Sequence, residues 1–201
     1  MYKDDILKLF KNGYLNTRDL TKKGIPRVYL SNLVKAGIIE KVGRGLYIKK
    51  NDVANDMIII QNSSKYVVFS NLSALYLHGI VERIPIKYDV TVPSGYKGSL
   101  QSSQNVNIYY VKRELHNLGI IEVSLSDGSI VKTYDLERTI CDVIKNRNKL
   151  DSELINKAIR SYYYSNEKDV IKLYDYAKRL NVYNKIRNYF EVLRWLKIEI
   201  L

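Results

Sequence analysis

A single cysteine, Cys141, occurs in 201 residues, so no internal disulfide can form. Flanked by Ile140 and Val143, it reads as a small buried apolar residue and not as a nucleophile, and a cytoplasmic location is expected. The two histidines, His78 and His116, form no pair at i, i+4, which leaves a zinc or hydrolase site almost without ligands. His78 ends a helix just before Gly79, a C-terminal position that suits it. No nucleophile elbow and no Walker-type phosphate loop occurs. Gly98-Ser99 resembles the opening of a nucleotidyltransferase motif, but Leu100, Gln101, Ser102 and Ser103 follow without the carboxylate that magnesium needs. Glu137 and Asp142 lie around Arg138 among basic residues on a helix, the pattern of a structural ion-pair cluster. No apolar run approaches the ~18 residues of a membrane span, and the first ten residues, MYKDDILKLF, carry acids where a secretory signal is basic and then apolar. A soluble protein without enzymatic activity is expected, with no catalytic residue, metal or cofactor.

Positive charge, by contrast, is in excess. The net charge of +12 favours polyanionic partners, although a bias toward Lys, Asn, Ile and Tyr also arises from a low-GC genome. Position separates the two explanations. Between residues 11 and 50 ten basic residues face only Asp19 and Glu40, so this fifth of the chain carries +8 of the +12. Phosphate contacts require that kind of concentration.

The same stretch, residues 16–50, has the layout of a winged helix-turn-helix. Thr17 can cap a helix over 18–23 that Gly24 ends, and Pro26 suits the first turn of a second helix, which reaches Ala36 and stops at Gly37. On a helical wheel Leu30, Leu33 and Val34 share the inner face, Tyr29 lies at the margin, and Val28, Ser31, Asn32 and Lys35 form an outer face able to read bases. Short β-prone runs at 38–42 and 46–48 flank Gly43-Arg44-Gly45, a turn that pushes Arg44 outward as a wing would. Arg27, Arg44 and Lys49 are the candidates for backbone or minor-groove contacts, and Val28, Ser31, Asn32 and Lys35 for the major groove. A plain helical subdomain whose Gly-Arg-Gly is only a turn is the alternative.

A first helix over 4–10, with Ile6, Leu7 and Phe10 on one side, braces the reading helix. Asn51 or Asp52 can cap a connecting helix through Gln61, with Val53, Met57, Ile58 and Ile60 largely apolar. Strands follow at 66–69, 89–92, 106–111, 120–125 and 130–133, with a Ser70-capped helix over 72–78 and a turn at Ser126-Asp127-Gly128-Ser129. From Asp135 the chain is helical: Leu136, Ile140, Val143 and Ile144 share one side, Asp151 caps the next helix, and two more cover 169–180 and 182–196. Tyr162, Tyr163 and Tyr164 cannot all face one way, so at least one is exposed. Internal repeats and low-complexity tracts are absent. The expected fold is α+β: a winged helix-turn-helix at 1–50, a connecting helix at 51–62, and a mixed α/β domain at 63–201 with a small sheet and C-terminal helices.

Four segments in order, GIPRVYLSNLVKAGIIEKVGRGLY (24–47), SNLSALYLHGI (70–80), YDVTVPSGY (88–96) and KTYDLERTICDVI (132–144), resemble the AbiEi-type antitoxin and transcriptional regulators of type IV toxin–antitoxin and abortive-infection systems. Together they span most of the chain. The resemblance implies a winged helix that represses its own operon and a C-terminal domain that counteracts a nucleotidyltransferase-like toxin without forming a stable complex, giving control of phage abortive infection. Its partners would be duplex DNA and, functionally, the toxin. One winged helix makes few base contacts, so two copies on paired half-sites of the promoter are expected. The alternative is a nuclease targeted by the winged helix. It needs an acid cluster on a sheet edge, and the strands offer mainly Asp89 and Glu122, with no Glu-x-Lys element.

Overall fold

The structure, a computed structural model, describes residues 2–98, 100 and 103–198, so Ser99, Gln101 and Ser102 of the Gly98-Ser99 stretch lie outside the described residues. Helices with one antiparallel and one mixed sheet make the fold α+β, with ten α-helices among the described residues. The chain forms two compact units, one of Met1–Lys65 with Ser124–Val131 and one of Tyr66–Val123 with Lys132–Leu201.

The first unit contains α1 (Lys3–Leu7), β1 (Tyr14–Asn16), α2 (Thr17–Lys22), α3 (Val28–Lys35), β2 (Ile39–Gly43), β3 (Leu46–Lys49) and α4 (Asp56–Ser63). Ile6, Leu15, Leu20, Ile25, Leu30, Leu33 and Ile39 pack as its core. The strands form an antiparallel sheet in the order β1-β3-β2. Strand β1 has no counterpart in the sequence expectation: three residues carry too little alternation to signal a strand, and pairing with β3 through Leu15 and Tyr47 creates it. Asn16, not Thr17, caps α2. Its backbone is extended and its Oδ1 accepts from the Arg18 amide at 3.0 Å, whereas Thr17 is already the first helical residue. Helix α4 starts at Asp56, three or four residues later than a cap at Asp52 or Asn51 would place it, because Asn55 supplies the cap by accepting from the Met57 amide at 2.9 Å. Met57 and Ile60 are buried, while Val53 precedes the helix and is 94% exposed. The Asn55 amide also donates to the Tyr14 hydroxyl, tying α4 to β1.

In the second unit, β4 (Val68–Phe69), β5 (Tyr88–Pro93), β6 (Val106–Val111), β7 (Ile120–Ser124) and β8 (Ile130–Tyr134) form a mixed sheet in the order β6-β5-β4-β8-β7. Helices α5 (Asn71–Leu77) and α6 (Arg113–His116) lie between the strands in sequence, and α7 (Leu136–Lys145), α8 (Ser152–Tyr164), α9 (Val170–Arg179) and α10 (Tyr183–Ile198) follow them. Helix α7 is buried on every side from Glu137 to Ile144 and packs against α5, α8, α9 and α10. Asp135, Asp151 and Asp169 cap α7, α8 and α9 with their carboxylates. Ser70 does not cap α5 with its side chain. Its hydroxyl accepts instead from Thr91 and Asn71, and the Asp89 carboxylate on β5 takes the Leu72 amide at 3.0 Å. Tyr162 is fully buried and Tyr164 exposed, as three consecutive helical tyrosines require.

Candidate nucleic-acid interface

Helix α3 turns Leu30 and Leu33 inward, to 1% and 7% exposure, because a 3.6-residue period brings them to one side. Val28, Ser31, Asn32 and Lys35 lie on an arc of about 100° on the opposite side, and all four are exposed. Val34 departs from its expected place in the core: it is 38% exposed, at the border of this arc. Tyr29, at the other border, is half-buried and meets the Tyr2 ring edge-on at 4.8 Å.

Beside this face is a cleft of about 630 Å³. Asn16, Thr17 and Arg18 line it from the start of α2, Arg27, Leu30 and Ser31 from α3, Arg44, Gly45 and Tyr47 from the β2–β3 turn, and Asn62 and Ser63 from α4. Three guanidinium-bearing residues thus line one cleft, and none has a carboxylate within 4.0 Å among the described residues. Local interactions hold the turn that carries Arg44. The Thr17 amide donates to the Gly45 carbonyl at 2.9 Å, and the Asn62 side chain donates to the Arg44 carbonyl at 2.9 Å. Asn62 in turn accepts from Asn16 at 2.6 Å, so the residue that caps α2 also orients the residue that holds the turn. Gly45 has φ +67°, and a Cβ there would stand 2.5 Å from Thr17 Oγ1, so only glycine fits both the backbone and the space.

Of the seven residues expected at a DNA interface, the cleft brings together Arg27, Ser31 and Arg44, while Val28, Asn32 and Lys35 share the exposed face of α3. Lys49 lies apart, exposed near the end of β3 with its ammonium 5.9 Å from the centre of the Phe10 ring. Sequence reasoning omitted Arg18, whose place in the first turn of α2 was a usable signal, and Asn62, for which a contact 46 residues away left none.

The two histidines and the buried charged groups of the second unit are held in structural contacts. His78 Nε2 bonds the Tyr134 carbonyl at 2.8 Å and His116 Nε2 the Tyr66 carbonyl at 2.9 Å. Burial pushes the Cys141 thiol far up, which makes it a poor nucleophile. Arg138 Nε reaches both Asp142 oxygens at 3.1 Å, its Nη1 donates to the Leu115 and Leu118 carbonyls, and its guanidinium carbon lies 4.3 Å from the centre of the Tyr134 ring. Lys172 bridges Asp135 at 2.9 Å and Glu137 at 3.3 Å. Burial raises the Asp89 carboxyl, against the opposing hydrogen bonds from Asn107 and Leu72. Its strand β5 is three positions from β7 in the sheet, a spacing of about 14 Å at ~4.8 Å per strand, so Asp89 and Glu122 form no acid pair. Among the described residues no three of His, Cys, Asp and Glu gather as metal ligands would, and no helix is long and apolar enough to cross a membrane.

Comparison with known proteins bears chiefly on the N-terminal part. None of the curated proteins matches. The crystal structure of the RV2827C protein from Mycobacterium tuberculosis covers 89% of this chain and 75% of its own, at 8% identity and a TM-score of 0.48. Residues 4–48, which contain α3, the β2–β3 turn and most of the arginine cleft, match the family model described as transcriptional regulator, AbiEi antitoxin.

Proposed function

We propose that the first unit is a winged helix-turn-helix that binds duplex DNA at the protein's own promoter. In this reading α3 enters the major groove with Val28, Ser31, Asn32 and Lys35, β2 and β3 form the wing, and Arg27, Arg44 and Lys49 contact backbone or minor groove. The second unit, 66–123 with 132–201, counteracts a nucleotidyltransferase-like toxin of a type IV abortive-infection system. The protein acts there as an antitoxin and autorepressor and not as an enzyme. One observation carries the DNA reading: Arg27 and Arg44, without carboxylate partners among the described residues, flank a helix face that is exposed, short and polar. The family match over residues 4–48 supports the regulator role.

Two copies bind paired half-sites, since a single short reading helix discriminates too few base pairs for a genomic site. The test is binding of full-length protein to its promoter across a salt series, with footprinting. About six phosphate contacts make affinity fall by ~10³-fold between low and moderate salt, and two protected repeats are expected. A flat salt dependence, or equal affinity for scrambled DNA, would overturn the reading.

A further inference from the structure

We infer that the groove between α8 and α10 binds a nucleoside phosphate. Asn156, Ile159 and Arg160 come from one face of α8, and Lys185, Asn188, Tyr189 and Leu193 recur at helical spacing on α10. Arg147, from the turn after α7, completes the lining of a cavity of about 560 Å³, a volume typical of small-molecule sites. Among the described residues every ionisable side chain at this groove apart from Tyr189 is cationic, and no carboxylate lines it.

Two exposed cations on α9 and α10 behave differently. Arg187 on α10 pairs with Glu191 at 3.4 Å and Arg179 on α9 with Asp175 at 3.8 Å, whereas Arg160 and Lys185 have no carboxylate within 4.0 Å among the described residues. The floor is apolar, because Ile159 and Leu193 are buried there. Cations above an apolar floor suit a ligand with a flat ring at one end and several negative charges at the other. Tyr189 offers a face for the ring, and the Asn156 and Asn188 carboxamides offer both donors and acceptors for a base edge. An acidic peptide fits less well, since it needs a row of cations along an extended track and has no flat group for the apolar floor. This inference uses none of the residues assigned to DNA.

The test is calorimetric titration of full-length protein with ATP, GTP, CTP and UTP, with inorganic tripolyphosphate and adenosine as the two halves of the ligand. At least one nucleoside triphosphate should bind saturably at one site, about tenfold or more tighter than tripolyphosphate. Arg160→Ala and Lys185→Ala should each weaken it by about tenfold, the effect of losing one charge-assisted hydrogen bond. Arg160→Lys should retain most of the affinity, Tyr189→Ala should reduce the preference over tripolyphosphate, and Arg44→Ala should change nothing. All variants are checked for an unchanged cooperative melt. Absence of saturable binding at millimolar nucleotide overturns the inference. So does binding unaffected by Arg160→Ala and Lys185→Ala, tripolyphosphate binding as tightly as the nucleotides, or displacement by a polyglutamate peptide that binds more tightly.

Discussion

Two residues only twelve apart in sequence have opposite duties in the proposed interface. Asn32 is exposed on α3 and carries both a donor and an acceptor, the equipment for a base edge. Arg44 rides on a turn whose carbonyls are fixed by Thr17 and Asn62, and delocalised positive charge suits a phosphate whatever the base. Asn32→Ala should therefore cost about 1–3 kcal/mol on the promoter and little on scrambled DNA, while Arg44→Ala should weaken both equally. Fluorescence anisotropy with the two duplexes separates these outcomes; a sequence-selective loss from Arg44→Ala would reverse the assignment. The helical wheel alone places Ser31, Asn32 and Lys35 outward. It misplaces Val34, because a wheel gives direction and not what lies in that direction.

At the scale of the element, α7 differs most from its sequence pattern. Leu136, Ile140, Val143 and Ile144 mark one apolar side, yet the opposite side is also buried, and Arg138 and Asp142 lie within the packed second unit. Burial pushes the Asp142 carboxyl up, and the charge and hydrogen bonds of Arg138 oppose that shift. Removing one partner of such a pair leaves the other buried and unpaired. Asp142→Asn should cost about 3–5 kcal/mol, read as a lower urea midpoint at unchanged slope. Arg138→Met combined with Asp142→Leu should cost less than the sum of the single changes, though not zero, since the Leu115 and Leu118 carbonyls lose their donor. Strict additivity would show that the pair is not coupled.

For the whole molecule, the charge census and the division into units point to separable activities. Helix α4 belongs with the first unit, so residue 66 is the natural point to cut. The second unit has its own core, including Leu75, Ile140, Ile159, Leu173 and Ile186. A fragment from Tyr66 onward, verified by a cooperative melting transition, should rescue cells expressing the partner toxin while no longer shifting promoter DNA. If a folded fragment fails where full-length protein succeeds, repression of the toxin gene becomes the better account of protection.

Features that depend on residues a few positions apart were legible in the chain: the Asp151 cap, the period that buries Leu30 and Leu33, the glycine after α2, the concentration of charge before Lys50, and the burial of Cys141. Each is governed by local backbone geometry or by composition, both written in consecutive residues. Packing decided the rest. Strand β1 exists because β3, about thirty residues later, pairs with it, and α5 receives its cap from Asp89, 17 residues downstream. The arginine cleft needs Asn16, Arg18, Arg27, Arg44 and Asn62 side by side, and the buried Arg138 guanidinium needs the Leu115 and Leu118 carbonyls, 23 and 20 residues upstream. Long-range hydrogen bonds and burial depend on which surfaces meet, and no local period encodes that.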